Sequence, residues 1–169
     1  RGIPVFNSPG ANANAVKELV ATGLLLGSRG VIDGIDYVRT LHGIQDEGEL
    51  NRMLEDHKKK FKGSELVGKT LGVVGLGAIG SLVAEMGLTL GMKVIGFDPA
   101  LSVEAAWRLS SQVLKADTLS ALFARCDYIS LHLPVLDSTR GLVNAELLGV
   151  MQPGACLLNF ARQEIVDHT

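Results

Sequence analysis

The chain has 169 residues, enough for one full hydrophobic core and short for two, so a single domain or part of a larger protein is expected. Sixteen basic residues against eighteen acidic ones give a formal charge of -2, with no basic block long enough to follow a phosphate backbone, which argues against nucleic acid as a partner. No apolar stretch reaches the roughly 18 residues that cross a bilayer, and the opening segment RGIPVFNSPG lacks the apolar run of a secretory signal.

The chain begins at Arg1. Its first periodic segment, NANAVKELVATGLLLGSRG, places Val16, Leu19, Val20, Leu24 and Leu26 close to a 3.6-residue period and predicts a helix from about Asn12 to Arg29. VIDGIDYVRTLHG predicts a second. Residues 43–69 are polar, and Lys58, Lys59 and Lys60 mark a solvated surface or connecting arm without a binding site.

From Thr70 the pattern becomes short apolar runs alternating with helical windows. The runs are TLGVV (70–74), KVIGF (93–97), a weak SQVL (111–114), DYISL (127–131) and ACLLN (155–159). They are too uniformly apolar for a sheet with one wet face, so helices on both sides and parallel strands are expected. Gly91 stops the first intervening helix, Thr118 or Asp117 caps the next, and Asn144 caps ELLGVM before Pro153 and Gly154 end it. In the first of these helices Ile79, Leu82, Val83, Met86 and Leu90 form the face expected to meet the sheet. Cys126 and Cys156 lie 30 positions apart without metal-ligand spacing, which suggests free thiols in a reducing, cytoplasmic setting and no metal site.

The stretch VVGLGAIGSLVAEM carries the chemistry. Gly75, Gly77 and Gly80 form a G-x-G-x-x-G frame that leaves a predicted strand and opens a predicted helix. In a dinucleotide fingerprint the first glycine permits the tight turn, the second admits the pyrophosphate and the third brings helix against strand. The N–H groups of Ala78 and Ile79 would then face the phosphates, favoured by the helix dipole. Asp98 closes the next strand, 18 positions after Gly80. Its carboxylate suits both ribose hydroxyls and repels a 2'-phosphate, and Pro99, Ala100 and Leu101 add no cation, so NAD is expected over NADP. His132 follows the fourth run and Arg162 lies three residues beyond the fifth, so all four positions fall on the carboxyl edge of the sheet. His132 is either a satisfied loop histidine or part of the nicotinamide side. Arg162 is either a loop arginine paired with Glu164 or a two-pronged grip on a carboxylate. Arg140 reads as surface charge. The expected fold is α/β: a Rossmann-type doubly wound parallel sheet, incomplete, over residues 70–169, with an N-terminal helical arm over residues 12–69.

NSPGANANAVKELV, GSELVGKTLGVVGLGAIG, VIGFDP, CDYISLHLP and NFARQEIVD together resemble the nicotinamide-binding domain of D-2-hydroxyacid dehydrogenases. Within that family the chain resembles the D-3-phosphoglycerate branch, and LSVEAAW is similar to a segment of its short bacterial forms. The likeness runs through nearly the whole chain. It implies that Ala78 and Ile79 contact the pyrophosphate, Asp98 the adenine ribose, and Phe160 with Ala161 the nicotinamide ribose, while Pro134 joins His132 on the cofactor loop. Arg162 would hold the carboxylate of a small 2-hydroxy or 2-oxo acid, most narrowly 3-phosphoglycerate in the first step of serine biosynthesis, and Asn12 would lie by an interdomain cleft. The resemblance further implies a histidine, oriented by a glutamate, that takes the hydroxyl proton as hydride passes to NAD. It also implies a two-fold homodimer through the N-terminal helices.

Two departures qualify this. The family's arginine-glycine pair reads Arg162-Gln163 here, and the family's histidine and glutamate fall beyond Thr169. His168, six residues after Arg162, is not promoted to general base. The expectation is a cofactor domain without its substrate domain, binding NAD without turnover. Another D-2-hydroxyacid dehydrogenase, an NAD(H)-sensing corepressor-like module and an assembly piece remain as alternatives.

Overall fold

The computed structural model describes Gly2, Ser8 and residues 10–168; the rest of RGIPVFNSPG, with Asn7 and Pro9 of the family-like stretch, and Thr169 lie outside the described residues. Three helices come first: α1 (Ala13–Ser28), α2 (Val31–Thr40) and α3 (Glu47–His57), the last continued by a 3-10 turn over Lys58–Phe61. Strands and helices then alternate as β1 (Thr70–Val74), α4 (Ala78–Thr89), β2 (Lys93–Phe97), α5 (Val103–Arg108), β3 (Val113–Lys115) and α6 (Leu119–Arg125). They end with β4 (Tyr128–Leu131), α7 (Ala145–Gly149) and β5 (Cys156–Asn159). The five strands form one parallel sheet in the order β3-β2-β1-β4-β5. Strand order reverses between β1 and β4, whose carboxyl ends lie level: Val74 pairs with Phe97 on one side and Leu131 on the other.

Alternation along each strand supplies two cores. Leu71, Val73, Val94, Tyr128 and Leu158 face one side, where they pack with Val20 and Leu24 of α1 and Val83 and Ala84 of α4. Val74, Ile95, Ile129 and Leu131 face the other, with Leu122 and Phe123 of α6. This two-sided burial is why the strands read as continuous apolar runs. Asn144 and Thr118 cap α7 and α6 as expected, each accepting an N–H three residues on. Among the described residues no helix is long and apolar enough to cross a membrane.

Four features correct the sequence reading. First, the fully buried line of α4 is Gly80, Val83, Ala84 and Gly87, while Ile79, Met86 and Leu90 are partly buried against the core and Leu82, also partly buried, lies outside it. A Cβ at Gly87 would come within 2.7 Å of Leu71 Cδ2, so the helix approaches the sheet through its smallest residues, which an apolar periodicity overlooks. Second, the polar stretch over 43–69 contains α3. No residue of α3 is buried; it is held by the Asp46 carboxylate, which accepts the Glu49 N–H at 2.6 Å, and by Tyr37, whose ring stacks on His57 at 4.5 Å. Third, the weak strand runs over Val113–Lys115, two residues later than SQVL begins. Fourth, the helical window between the second and third runs, for which the sequence offered no bounds or cap, is α5, capped by Ser102. α1 itself lies across β5: a Cβ at Gly23 would sit 2.7 Å from Leu158 Cδ2.

Candidate cofactor-binding site

The site is organised by the turn that leaves β1. Gly75 has φ +88, the left-handed region, and its N–H donates to Phe97 O at 2.9 Å, tying the turn to the end of β2. A Cβ there would lie 2.6 Å from His132 O, so β4 also presses on this residue. Gly80 is closer still to its neighbour: a Cβ would stand 1.8 Å from Gly75 O. Gly77 behaves differently. It is exposed, precedes α4 with no side-chain cap, and a Cβ added to it would meet nothing within 4 Å.

Folding thus demands glycine at 75 and 80 and leaves 77 facing open space. Among the described residues no hydrogen bond takes up the first-turn N–H groups of Ala78 and Ile79, Val74 O being occupied by the His132 N–H, and the Ser81 N–H to Gly77 O at 3.0 Å begins the helical bonding. Open approach, unsatisfied donors and the positive end of a 12-residue helix fit an anionic diphosphate.

Asp98 does more than its sequence position suggested. Its Oδ2 accepts the Leu76 N–H and its Oδ1 accepts the Ala100 N–H, both at 2.9 Å. The first bond crosses from β2 to the glycine turn, so the acid and the turn form one unit. Each carboxylate oxygen keeps further acceptor capacity for a sugar hydroxyl. Beyond Asp98 opens a cleft of about 870 Å³ between α5 and the sheet edge, where the charged lining residues are Asp98, Lys115 and Asp117. Its far wall is α5, a helix with no buried residue, so no apolar periodicity marks the cleft.

On the β4 side, the His132 N–H donates to Val74 O at 2.8 Å and its Nε2 pairs with Ser130 Oγ at 2.8 Å. Its Nδ1 is buried with no partner among the described residues. Burial pushes the imidazole down to about 4, so it is neutral near pH 7 and offers hydrogen bonding without charge. Pro134 is exposed, and its carbonyl accepts the Thr139 hydroxyl at 2.7 Å. Leu133, which the sequence reading passed over, lies 3.1 Å from the Cβ position at Gly75.

The loop after β5 is shaped by Asn159. Its Oδ1 accepts the Ala161 N–H at 3.0 Å and its Nδ2 donates to Arg162 O at 2.9 Å. Phe160 turns its ring towards α1, where a Cβ at Gly23 would be 3.5 Å from it, which leaves the backbone of Phe160 and Ala161 on the loop. Arg162 is exposed, and its guanidinium donates to Ala161 O at 3.2 Å; among the described residues no ion pair with Glu164 forms. Gln163 enters a 3-10 turn, and no non-glycine residue among those described has positive φ, so this backbone does not require the family's glycine. Asn12 is exposed at the start of α1, near the point where Gly10 comes within 3.3 Å of Ala78 Cβ, measured from a Cβ built on it. His168 is exposed.

The two glycines make separable predictions. Gly80→Ala forces backbone apart and is expected to cost about 1–3 kcal/mol in denaturant unfolding. Gly77→Ala should leave stability within about 0.5 kcal/mol yet weaken NAD binding about tenfold or more, since the new methyl occupies the diphosphate's approach. Undiminished NAD affinity in Gly77→Ala would remove the phosphates from this position.

Comparison with known proteins agrees with this geometry. The family described as D-isomer specific 2-hydroxyacid dehydrogenase, NAD binding domain, matches residues 34–169. Hydroxypyruvate reductase of Thermotoga maritima is 40% identical over 167 residues, which cover 99% of this chain and 48% of that protein. D-3-phosphoglycerate dehydrogenase of Methanocaldococcus jannaschii is 34% identical over 99% of this chain and 29% of its own length. The crystal structure of D-lactate dehydrogenase from Aquifex aeolicus, complexed with NAD and lactic acid, superposes with a TM-score of 0.78 at 31% identity, covering 98% of this chain and 45% of that one. The chain therefore spans less than half the length of each of these relatives. With a parallel sheet, a glycine turn and a strand-end acid arranged as a dinucleotide requires, and a family match over residues 34–169, the chain belongs to the D-isomer specific 2-hydroxyacid dehydrogenases, as their NAD-binding domain.

Proposed function

We propose that this chain is the cofactor half of an enzyme that transfers hydride from a D-2-hydroxy acid, 3-phosphoglycerate in particular, to NAD. The observation that carries the reading is the shared edge: the exposed guanidinium of Arg162 follows β5 on the same carboxyl end of the sheet as the Gly75 turn and Asp98. The D-3-phosphoglycerate dehydrogenases that align over 99% of the chain support the substrate.

On this reading the N–H groups of Ala78 and Ile79 hold the diphosphate and Asp98 the adenine ribose. His132, Pro134 and the backbone of Phe160 and Ala161 border the nicotinamide half. When bound, NAD supplies the hydride acceptor. Arg162 fixes the substrate carboxylate with two parallel donors, which sets the face of the hydroxyl-bearing carbon towards the cofactor. The proton of that hydroxyl goes to the histidine that the family resemblance places beyond Thr169, and exposed His168, six residues after Arg162, is not given that role.

A second reading has a specific support. The 40% identity to a hydroxypyruvate reductase favours a non-phosphorylated three-carbon acid. Initial rates of NADH formation by the complete protein with 3-phosphoglycerate, D-glycerate and D-lactate separate them. The first reading predicts the highest kcat/KM for 3-phosphoglycerate, and for the isolated chain NAD binding without turnover. A preference for D-glycerate supports the second reading. No turnover with any 2-hydroxy acid, alongside a conformational response to NAD, leaves the sensor role instead.

We further propose that the chain pairs with a second copy through its helical arm. Val31, Ile32, Ile35 and Val38 of α2 are 45%, 53%, 45% and 54% exposed, beside an apolar groove of about 530 Å³ between α2 and α3. Sedimentation at micromolar concentration should give a dimer, and a monomer throughout would contradict it.

A further inference from the structure

Trp107 is the chain's one tryptophan, and its indole is 84% exposed on α5. Tryptophan is ordinarily among the more deeply covered side chains, because its large apolar face gains most from leaving water. Val103, one turn earlier on the same helix, is 73% exposed, so α5 presents two large apolar groups with no protein cover among the described residues. The helix itself buries nothing. It is fixed by its ends, with Ser102 Oγ accepting the Ala105 N–H at 3.1 Å.

Both Val103 and Trp107 line the cleft of about 870 Å³ that also has Asp98 on its wall. Leu76, Phe97 and Leu109 make its other surfaces largely apolar, and Ser110 and Asp117 add polar groups. A volume of this size lies in the range that takes drug-sized ligands. The chemistry matches a purine: a flat ring with apolar faces and a hydrogen-bonding rim, attached to a ribose within reach of the acid.

We propose that Trp107 is a further cofactor-binding residue, its indole covering the adenine ring of a dinucleotide whose ribose is held at Asp98. The inference rests on the reading of Asp98 as the ribose acceptor. Stacking against an indole is sequence-tolerant and gains from both apolar contact and ring electrostatics. It would also give α5 the cover it lacks and fix this otherwise end-anchored helix when cofactor is present.

A sole tryptophan makes the test direct. The intrinsic fluorescence of the chain is followed during titration with NAD, AMP and NMN, and NAD binding is measured in parallel by calorimetry. Stacking predicts that NAD and AMP change the emission to saturation and that NMN, which lacks adenine, does not. Trp107→Ala should weaken NAD binding about tenfold, with Trp107→Phe recovering most of the loss. Calorimetric NAD binding with unchanged emission, or with full affinity in Trp107→Ala, overturns the role of Trp107 and leaves the cofactor site standing. Absence of calorimetric NAD binding in the wild-type chain overturns both.

Discussion

The hydrogen bond from the Leu76 N–H to Asp98 Oδ2 joins the two halves of the site, and much of the fold is arranged to keep it. It forms because Gly75 takes a left-handed turn that no side chain could share with His132 O, and because Gly75 also donates to Phe97 O one residue before the acid. Gly80 lies against the carbonyl of Gly75 itself, so α4 starts at one fixed angle to β1. The α4 amides and Asp98 are therefore held by the backbone of two adjacent strands. Their relative position does not depend on the packing of any long side chain. That is the kind of preorganisation a diphosphate and a sugar can use without first reordering the protein.

Where the alternation of short apolar runs met strong local rules, the sequence was readable. Four of the five strands lie within a residue of the expected bounds, because burial on both faces leaves an uninterrupted apolar run. The glycine frame and Asp98 were readable because their spacing reflects a backbone constraint. Other features depended on contacts that leave no periodic trace. α3 has no buried residue and is held by a cap and an aromatic stack, so its sequence looks like connecting arm. The sheet-facing line of α4 runs through Gly80, Ala84 and Gly87, residues that an apolar count scores low. Asn159 shapes the Arg162 loop through two bonds to backbone atoms nearby, and nothing about an asparagine at a strand end announces that.

The sheet divides the chemistry along its carboxyl edge. Towards β2 and β3 lie the acid and a cleft with apolar walls. Towards β4 and β5 lie a neutral histidine with one unmatched buried nitrogen and an exposed arginine. An anion attracted to the glycine turn by helix α4 would sit at the boundary, where strand order reverses. The arm contributes differently, since α1 completes the sheet's cover while α2 and α3 keep apolar surface outside it.

We propose that Asp98, locked to the glycine turn, selects a dinucleotide by its free ribose hydroxyls. Calorimetric titration of NAD and NADP into the wild-type chain and Asp98→Ala tests it most directly. The wild type should bind NAD clearly better than NADP, and the variant should lose about 1–3 kcal/mol of NAD binding with the gap between cofactors narrowed. Equal binding of NAD and NADP by the wild type would contradict it.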